Sequence, residues 1–156
     1  MIFSRSSWLV LPFWLLMVFV PRWSWTQRIM QSPLVVVASA VLYTVLVIPM
    51  AGVLLPVLMR PSLSSVAILL ATPAGATIGW VHFLAFDLFV GRWIYLDSQE
   101  RGITSWAVSP ILLLTFLFGP LGFVSYMGVR IGYMLLRARM GQAGREQVAS
   151  SAPDTL

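Results

Sequence analysis

Apolar positions in this chain run together in blocks, and polar positions collect in the short stretches between them. Blocks without alternation or a single apolar face predict helices surrounded by lipid rather than by a soluble core. The first block, Trp8 to Pro21, follows Arg5 and ends in Val20-Pro21-Arg22-Trp23-Ser24-Trp25, an interfacial sequence. No small-residue cleavage site follows it, so it reads as an uncleaved first helix rather than a signal peptide. At about 1.5 Å per residue it reaches about 21 Å, short of a hydrocarbon core of about 30 Å. Local thinning or extension into Trp23 and Trp25 is expected to make up the difference.

The second block, Pro33 to Met59, is long enough to span, with Pro33 suited to a first helical turn. Pro49 and Pro56 interrupt it, each removing an i to i−4 bond and freeing the carbonyls of Val45 and Gly52, as in a kinked membrane helix. Ser62 to Ala71 is too short to cross and predicts an interfacial or re-entrant helix. Thr72-Pro73 supplies an N-cap and an N1 proline for a third helix, running to about Tyr95 and closing on Trp93, Tyr95 and Asp97. A polar loop, Asp97 to Ser109, leads to a fourth helix from near Pro110 to about Arg137, crossing a Gly119-Pro120-Leu121-Gly122 break. The fold class is therefore all-α: a polytopic membrane protein with four transmembrane helices plus the short interfacial helix, forming one domain over 1–138. From Arg139 the tail loses apolar periodicity and is expected to be disordered over 139–156.

Composition agrees, with 59% apolar and 10% charged residues where soluble domains carry about 25% charged. The absence of cysteine excludes disulfides, iron-sulfur clusters and a nucleophilic thiol, and a single histidine excludes a multi-histidine metal cage. All ten basic residues are arginine, placed between apolar blocks as topology anchors rather than as a nucleic-acid patch. Four spans put both termini on one side. The tally of Arg5, Arg60, Arg130, Arg137, Arg139 and Arg145 against Arg22, Arg28, Arg92 and Arg101 favours the cytoplasm for them.

Most of the intramembrane polarity lies in Trp80-Val-His-Phe-Leu-Ala-Phe-Asp-Leu-Phe-Val-Gly-Arg92. An ionised group near the bilayer centre costs up to about 3 kcal/mol, which makes function the first hypothesis for His82 and Asp87. They stand about 140° apart around the helix, so no direct bond joins them, yet both can border one wide cavity. His82 shares a face with Phe86 and Trp93, whereas Asp87 lies beside Trp80. Antiparallel packing of the third and fourth helices sets Asp87 level with about Leu117 and His82 level with about Gly122, opposite the Gly119-Pro120 break. Tyr126 adds a hydroxyl one turn away. A cavity bordered by Trp80, Phe86, Arg92, Trp93, Gly119, Gly122 and Tyr126 suits a long apolar ligand with polar end groups. The structural alternatives are Asp87 as an interhelical clasp, His82 as a satisfied interior histidine and Arg92 as a snorkelling anchor. No metal-ligand spacing, phosphate loop, hydrolase triad or haem pair is present, so no cofactor is expected.

Leu11-Pro-Phe-Trp-Leu-Leu-Met, Pro21-Arg-Trp-Ser-Trp-Thr-Gln-Arg-Ile-Met-Gln-Ser32, the Trp80 to Arg92 segment, and Pro110 through Gly119-Pro-Leu-Gly-Phe resemble the abscisic-acid-deficient-4 family over roughly residues 8 to 130. That family consists of small plastid membrane proteins needed for neoxanthin formation in plants, with bacterial and cyanobacterial relatives. Without a plastid transit peptide this chain looks like a prokaryotic member, in the cytoplasmic membrane or, in a cyanobacterium, the thylakoid. The resemblance implies redox-neutral isomerisation of an epoxy-xanthophyll to an allenic alcohol. Such chemistry asks for one acid and one base in a dry pocket. Three hypotheses follow: a carotenoid or isoprenoid-lipid isomerase with Asp87 as acid and His82 as base or orienter; a non-catalytic carotenoid-binding or assembly subunit serving a partner enzyme; and a small proton-coupled carrier.

Overall fold

The computed structural model describes residues 2–150, which are helical almost throughout, with no strand among the described residues. Helix α1 (Ile2–Phe19) starts six residues before Trp8, and its 18 residues reach about 27 Å. The expected shortfall in length largely disappears. The interfacial sequence after it folds into α2 (Ser24–Gln31), which buries Thr26 and Met30 and leaves Trp25 and Arg28 exposed. Thr26 Oγ1 donates to the Val20 carbonyl at 2.9 Å and Tyr95 Oη to the Pro21 carbonyl at 2.6 Å. These bonds satisfy carbonyls left open where α1 ends.

Helix α3 (Leu34–Val47) passes through a 3-10 turn at Ile48–Met50, around Pro49, into α4 (Ala51–Met59), which contains Pro56. The short helix α5 (Leu63–Ala71) opens on a reciprocal capping box between Ser62 and Ser65. Helix α6 (Pro73–Arg101) starts as the Thr72-Pro73 pair predicts, the Thr72 hydroxyl accepting from the Gly75 N–H at 3.0 Å. It continues six residues past Tyr95. Gly102 stops it by adopting φ 70°, and the Ile103 N–H closes on the Ser98 carbonyl at 2.9 Å. The expected loop from Asp97 to Ser109 contracts to Gly102–Thr104.

The largest correction concerns the fourth helix. Two helices stand there, α7 (Ser105–Leu117) and α8 (Gly119–Ser150), separated at Phe118 (φ −143°, ψ 63°). The chain reverses at that point. Gly119 lies beside Asp87, midway along α6, while Tyr126 Oη reaches Asp97, Tyr133 Oη the Gly102 carbonyl and Arg137 the Arg101 carbonyl. Thus α8 climbs back to the end of α6 from which α7 descended, and the two form a hairpin; α7, with 13 residues, is about half as long as the 29-residue α6, while the 32-residue α8 runs on past that end. Pro120 lacks the N–H that would continue the ladder to Phe116, and the Phe118 carbonyl instead accepts from Leu121 and Gly122 at 2.8 and 3.2 Å. Gly122 permits the close return, since a Cβ there would collide with the backbone of Thr115.

Around α6 the other helices have definite directions. Helix α1 runs parallel to it: Trp80 Nε1 donates to Ser7 Oγ at 3.1 Å, Trp14 packs on Gly91, and Tyr95 reaches Pro21. Helix α3 runs antiparallel, with Arg92 at the end of α2 and Tyr43 against His82. Helix α7 closes the bundle, Ser109 Oγ donating to the Val18 carbonyl at 2.9 Å and Phe116 packing on Trp14. The core between them includes Trp14, Met17, Met30, Leu88, Ile94, Leu112 and Tyr126.

Two stretches are long and apolar enough to cross a membrane, Leu34–Met59 and Pro73–Arg101; Arg5–Phe19 and Ser105–Leu117 are apolar but shorter. Four spanning helices are thus not seen: in place of the expected fourth helix the chain reverses at Phe118, level with the middle of α6. The start of α1 and the end of α8 consequently lie at opposite ends of α6 rather than at one. Past Arg139, where disorder was expected, α8 continues to Ser150. Arg139, Met140, Gln142 and Ala143 are good helix formers and no proline intervenes before Pro153. Residues 151–156 of the expected tail lie outside the described residues.

Candidate functional site

Asp87 occupies the middle of α6, half-buried, with its carboxylate against Gly119, the first residue of α8. A Cβ at Gly119 would collide with that carboxylate. Glycine therefore lets the helix start approach. Pro120 has no N–H, and those of Leu121 and Gly122 close on the Phe118 carbonyl at 2.8 and 3.2 Å, so this helix start offers the carboxyl few free donors. The register expected from the sequence, Asp87 near Leu117, is met within two residues. Because the hairpin stops at this level, α6 below it is uncovered on that side: Phe83 is 63% exposed and Trp80 39%. Leu117, Phe118 and Leu121 are exposed at the tip. Asp87 thus stands at the inner end of an aromatic strip that opens sideways.

His82 is not part of this arrangement. Its ring packs against Tyr43 of α3 at 5.2 Å, Phe86 at 4.7 Å and Phe83 at 6.2 Å between centroids. The expected common cavity is corrected accordingly: Asp87 turns to the hairpin tip and His82 to α3, as their azimuths require. Gly122 packs on Thr115 instead of facing His82, because the chain has already reversed. The bundle does have large cavities. One of about 690 Å³ lies between the end of α1 and α7, lined by Phe19, Arg22, Trp23, Trp106, Ser109 and others. Another, of about 750 Å³, lies where Phe3 meets Leu46, Pro49 and Pro73. Neither is lined by Asp87 or His82.

The remaining expected site residues are distributed by packing. Trp80 bonds to Ser7 and stacks on Phe3, while Phe86 stacks on His82. Arg92 clasps the C-terminal carbonyls of α2, Nε to Met30 at 2.6 Å and Nη2 to Gln31 at 2.9 Å. It neutralises the negative end of that helix. Trp93 stands edge-on to Tyr126 at 5.8 Å and carries Arg130 over its ring at 5.9 Å.

Trp93, Tyr126 and Arg130 belong to a cluster that sequence reasoning missed, centred on Asp97. Its Oδ2 accepts from Tyr126 Oη at 2.6 Å, Arg101 Nε at 2.8 Å and Arg130 Nε at 3.0 Å. The sequence pattern marks Asp97 only as part of an interfacial helix ending. The i, i+4 spacings Asp97/Arg101 and Tyr126/Arg130 were the available signal, since each puts its pair on one helix face. The cluster fixes α8 to α6 near the loop; at the tip, packing such as Gly119 against Asp87 holds the hairpin, with no side-chain hydrogen bond to α6 among the described residues.

A family model described as ABA DEFICIENT 4-like matches residues 1–126. A curated relative, Protein ABA DEFICIENT 4, chloroplastic, from Arabidopsis thaliana, is 32% identical over 132 residues, which is 80% of this chain and 58% of the relative.

The chain belongs to the ABA DEFICIENT 4-like family.

The match to the ABA DEFICIENT 4-like model runs from α1 through the hairpin tip to Tyr126, so it takes in Asp87, Gly119 and the contact between them. The chain spans less than two thirds of the length of the Arabidopsis relative. No solved structure matches this ABA DEFICIENT 4-like chain.

Proposed function

We propose that this protein is embedded in a membrane and acts on a carotenoid or related isoprenoid lipid by redox-neutral acid-base isomerisation, in the manner of a neoxanthin synthase. Helices α1, α3–α4 and α6 cross the bilayer, and the α7–α8 hairpin enters it from the side of the Gly102 loop. The observation that carries the reading is Asp87, a carboxyl at half depth at the end of an aromatic strip open to lipid. A long apolar ligand lying along Trp80 and Phe83 would bring a polar end group to it. Membership of the ABA DEFICIENT 4-like family supports the carotenoid theme.

The chemistry moves two protons and no electrons. The neutral Asp87 carboxyl gives its proton to the epoxide oxygen as the carbon-oxygen bond opens. The resulting carboxylate takes a proton from the polyene carbon as the new double bond forms, which restores the acid. One carboxyl serves both steps, so His82 is not needed as the base and acts on the ring stack around Tyr43 and Phe86. General acid-base catalysis of this kind is worth about 10²–10⁴ in rate.

Expression in a carotenoid-producing host, followed by pigment extraction, tests the reading. The wild type should change the pigment profile, Asp87→Asn should lose at least roughly 100-fold of that change, and His82→Gln should retain most of it. An unchanged profile with Asp87→Asn at normal protein levels defeats the mechanism. The separation of Asp87 from His82, which leaves a single titratable group at the tip, favours a second reading: a non-catalytic carotenoid-binding subunit that presents pigment to a partner enzyme. Its signature is unaltered pigment co-purifying with the protein.

A further inference from the structure

At the end of the bundle where α6, α7 and α8 meet, positive charge exceeds negative. Arg101, Arg130, Arg137 and Arg139 face only Asp97 and Glu100 among the described acidic residues of this end. Asp97 is already engaged by Tyr126, Arg101 and Arg130, all on one oxygen. Arg137 has no carboxylate partner among the described residues. Its contacts are the Arg101 carbonyl, at 3.4 Å from Nη1, and the Tyr133 ring, 6.0 Å from the guanidinium carbon. Arg101 is held by Asp97 and by Met134 Sδ. These residues border an open cavity of about 330 Å³, lined by Arg101, Tyr133, Met134, Arg137 and Ala138.

We propose that this cavity binds the phosphate of an anionic phospholipid headgroup, held between Arg101 and Arg137. Each guanidinium carries five N–H donors in a planar fork that matches phosphate oxygens, and most of Arg137's donors have no protein acceptor among the described residues. The depth argues for a lipid source. Trp23, Trp25 and Trp106 are exposed at this same end of the bundle, where amphipathic rings sit at headgroup level. Met134 and Ala138 give the cavity an apolar wall against which the glycerol and upper acyl segments lie. The bound lipid would hold α8 upright beyond the Asp97 cluster.

The test uses the full chain in a neutral detergent with equal amounts of phosphatidylglycerol and phosphatidylcholine, reading bound lipid by native mass spectrometry. The wild type should retain phosphatidylglycerol in preference. Arg137→Gln should lower that retention about tenfold, the loss expected for removal of a charge-assisted contact, and Arg137→Lys should restore part of it. Ala138→Leu keeps every charge but fills the cavity, so it should lower retention as well. Arg28→Gln, an exposed arginine on α2, should leave retention unchanged, and helical circular dichroism checks that each variant folds. No preference in the wild type, equal losses in the Arg137 and Arg28 variants, or full retention in Ala138→Leu would overturn the proposal. Displacement of phosphatidylglycerol by an equal concentration of inorganic phosphate would also overturn it, by showing a free-phosphate site.

Discussion

Tyr126 is fully buried, and its hydroxyl donates to Asp97 at 2.6 Å across 29 residues of chain. Tyr126→Phe keeps the ring against Trp93 and removes only that bond. The expected cost is about 1–3 kcal/mol, seen as a lower unfolding midpoint in detergent, with helix content unchanged before the transition. Two glycines of α8 make a matched pair. A Cβ at Gly122 meets the Thr115 backbone, whereas at Gly128 nothing lies within 4 Å. Gly122→Ala should therefore destabilise by about 1–3 kcal/mol, while Gly128→Ala should be neutral or slightly stabilising because alanine is the better helix former. Thermal unfolding of the two variants side by side checks the pair; equal midpoints would mean the hairpin is not packed at Gly122. Asp87 was legible as unusual from its setting in an apolar block. Asp97 was not, because two of the three groups that bind it come from α8, and no local pattern shows which helix returns to it.

Among the elements, the α7–α8 hairpin departs most from its sequence pattern. Gly119-Pro120-Leu121-Gly122 marks a break, but a break states only that the helical ladder stops. Its direction depends on how closely the two segments can approach, which Gly122 and Thr115 decide at the contact itself. The hairpin makes a prediction that a spanning helix does not. Single cysteines at Ser105 and Arg137 should be labelled by a membrane-impermeant reagent from the same side, and a cysteine at Leu117 from neither. Labelling of Ser105 and Arg137 from opposite sides would restore a fourth span. By contrast, the start of α6 was legible at Thr72 and Pro73, and a short separate helix was legible at Ser62 to Ala71, since each helix start is set within one turn.

For the whole molecule, the reversal at Phe118 changes which end of α6 each arginine lies near. Arg22, Arg28, Arg92, Arg101, Arg130, Arg137 and Arg139 now fall at one end of α6, and Arg5 and Arg60 at the other. If the chain is embedded as proposed, the positive-inside rule predicts that the arginine-rich end faces the cytoplasm. Seven against two, Arg145 left aside, is a clearer bias than the five against four that the same nine arginines give for four spans. On the proposed embedding the two ends of the chain are expected on opposite sides, rather than both in the cytoplasm as four spans imply. A periplasm-active reporter should work when fused ahead of α1 and fail when fused after Leu156; activity at neither or both fusions would require an even number of crossings.

The one-dimensional pattern determined what depends on near neighbours: an all-helical chain, apolar blocks suited to lipid, the cap of α6, the interruption at Pro49, and an isolated carboxyl at Asp87. Helix formation, capping and hydrophobic length are local, so they can be read within one or two turns. Tertiary structure alone decided the reversal at Phe118, the separation of His82 from Asp87 and the gathering of Arg101, Tyr126 and Arg130 on Asp97. Each of these turns on which helix faces meet, and that follows from side-chain volume and close contact between segments far apart in the chain.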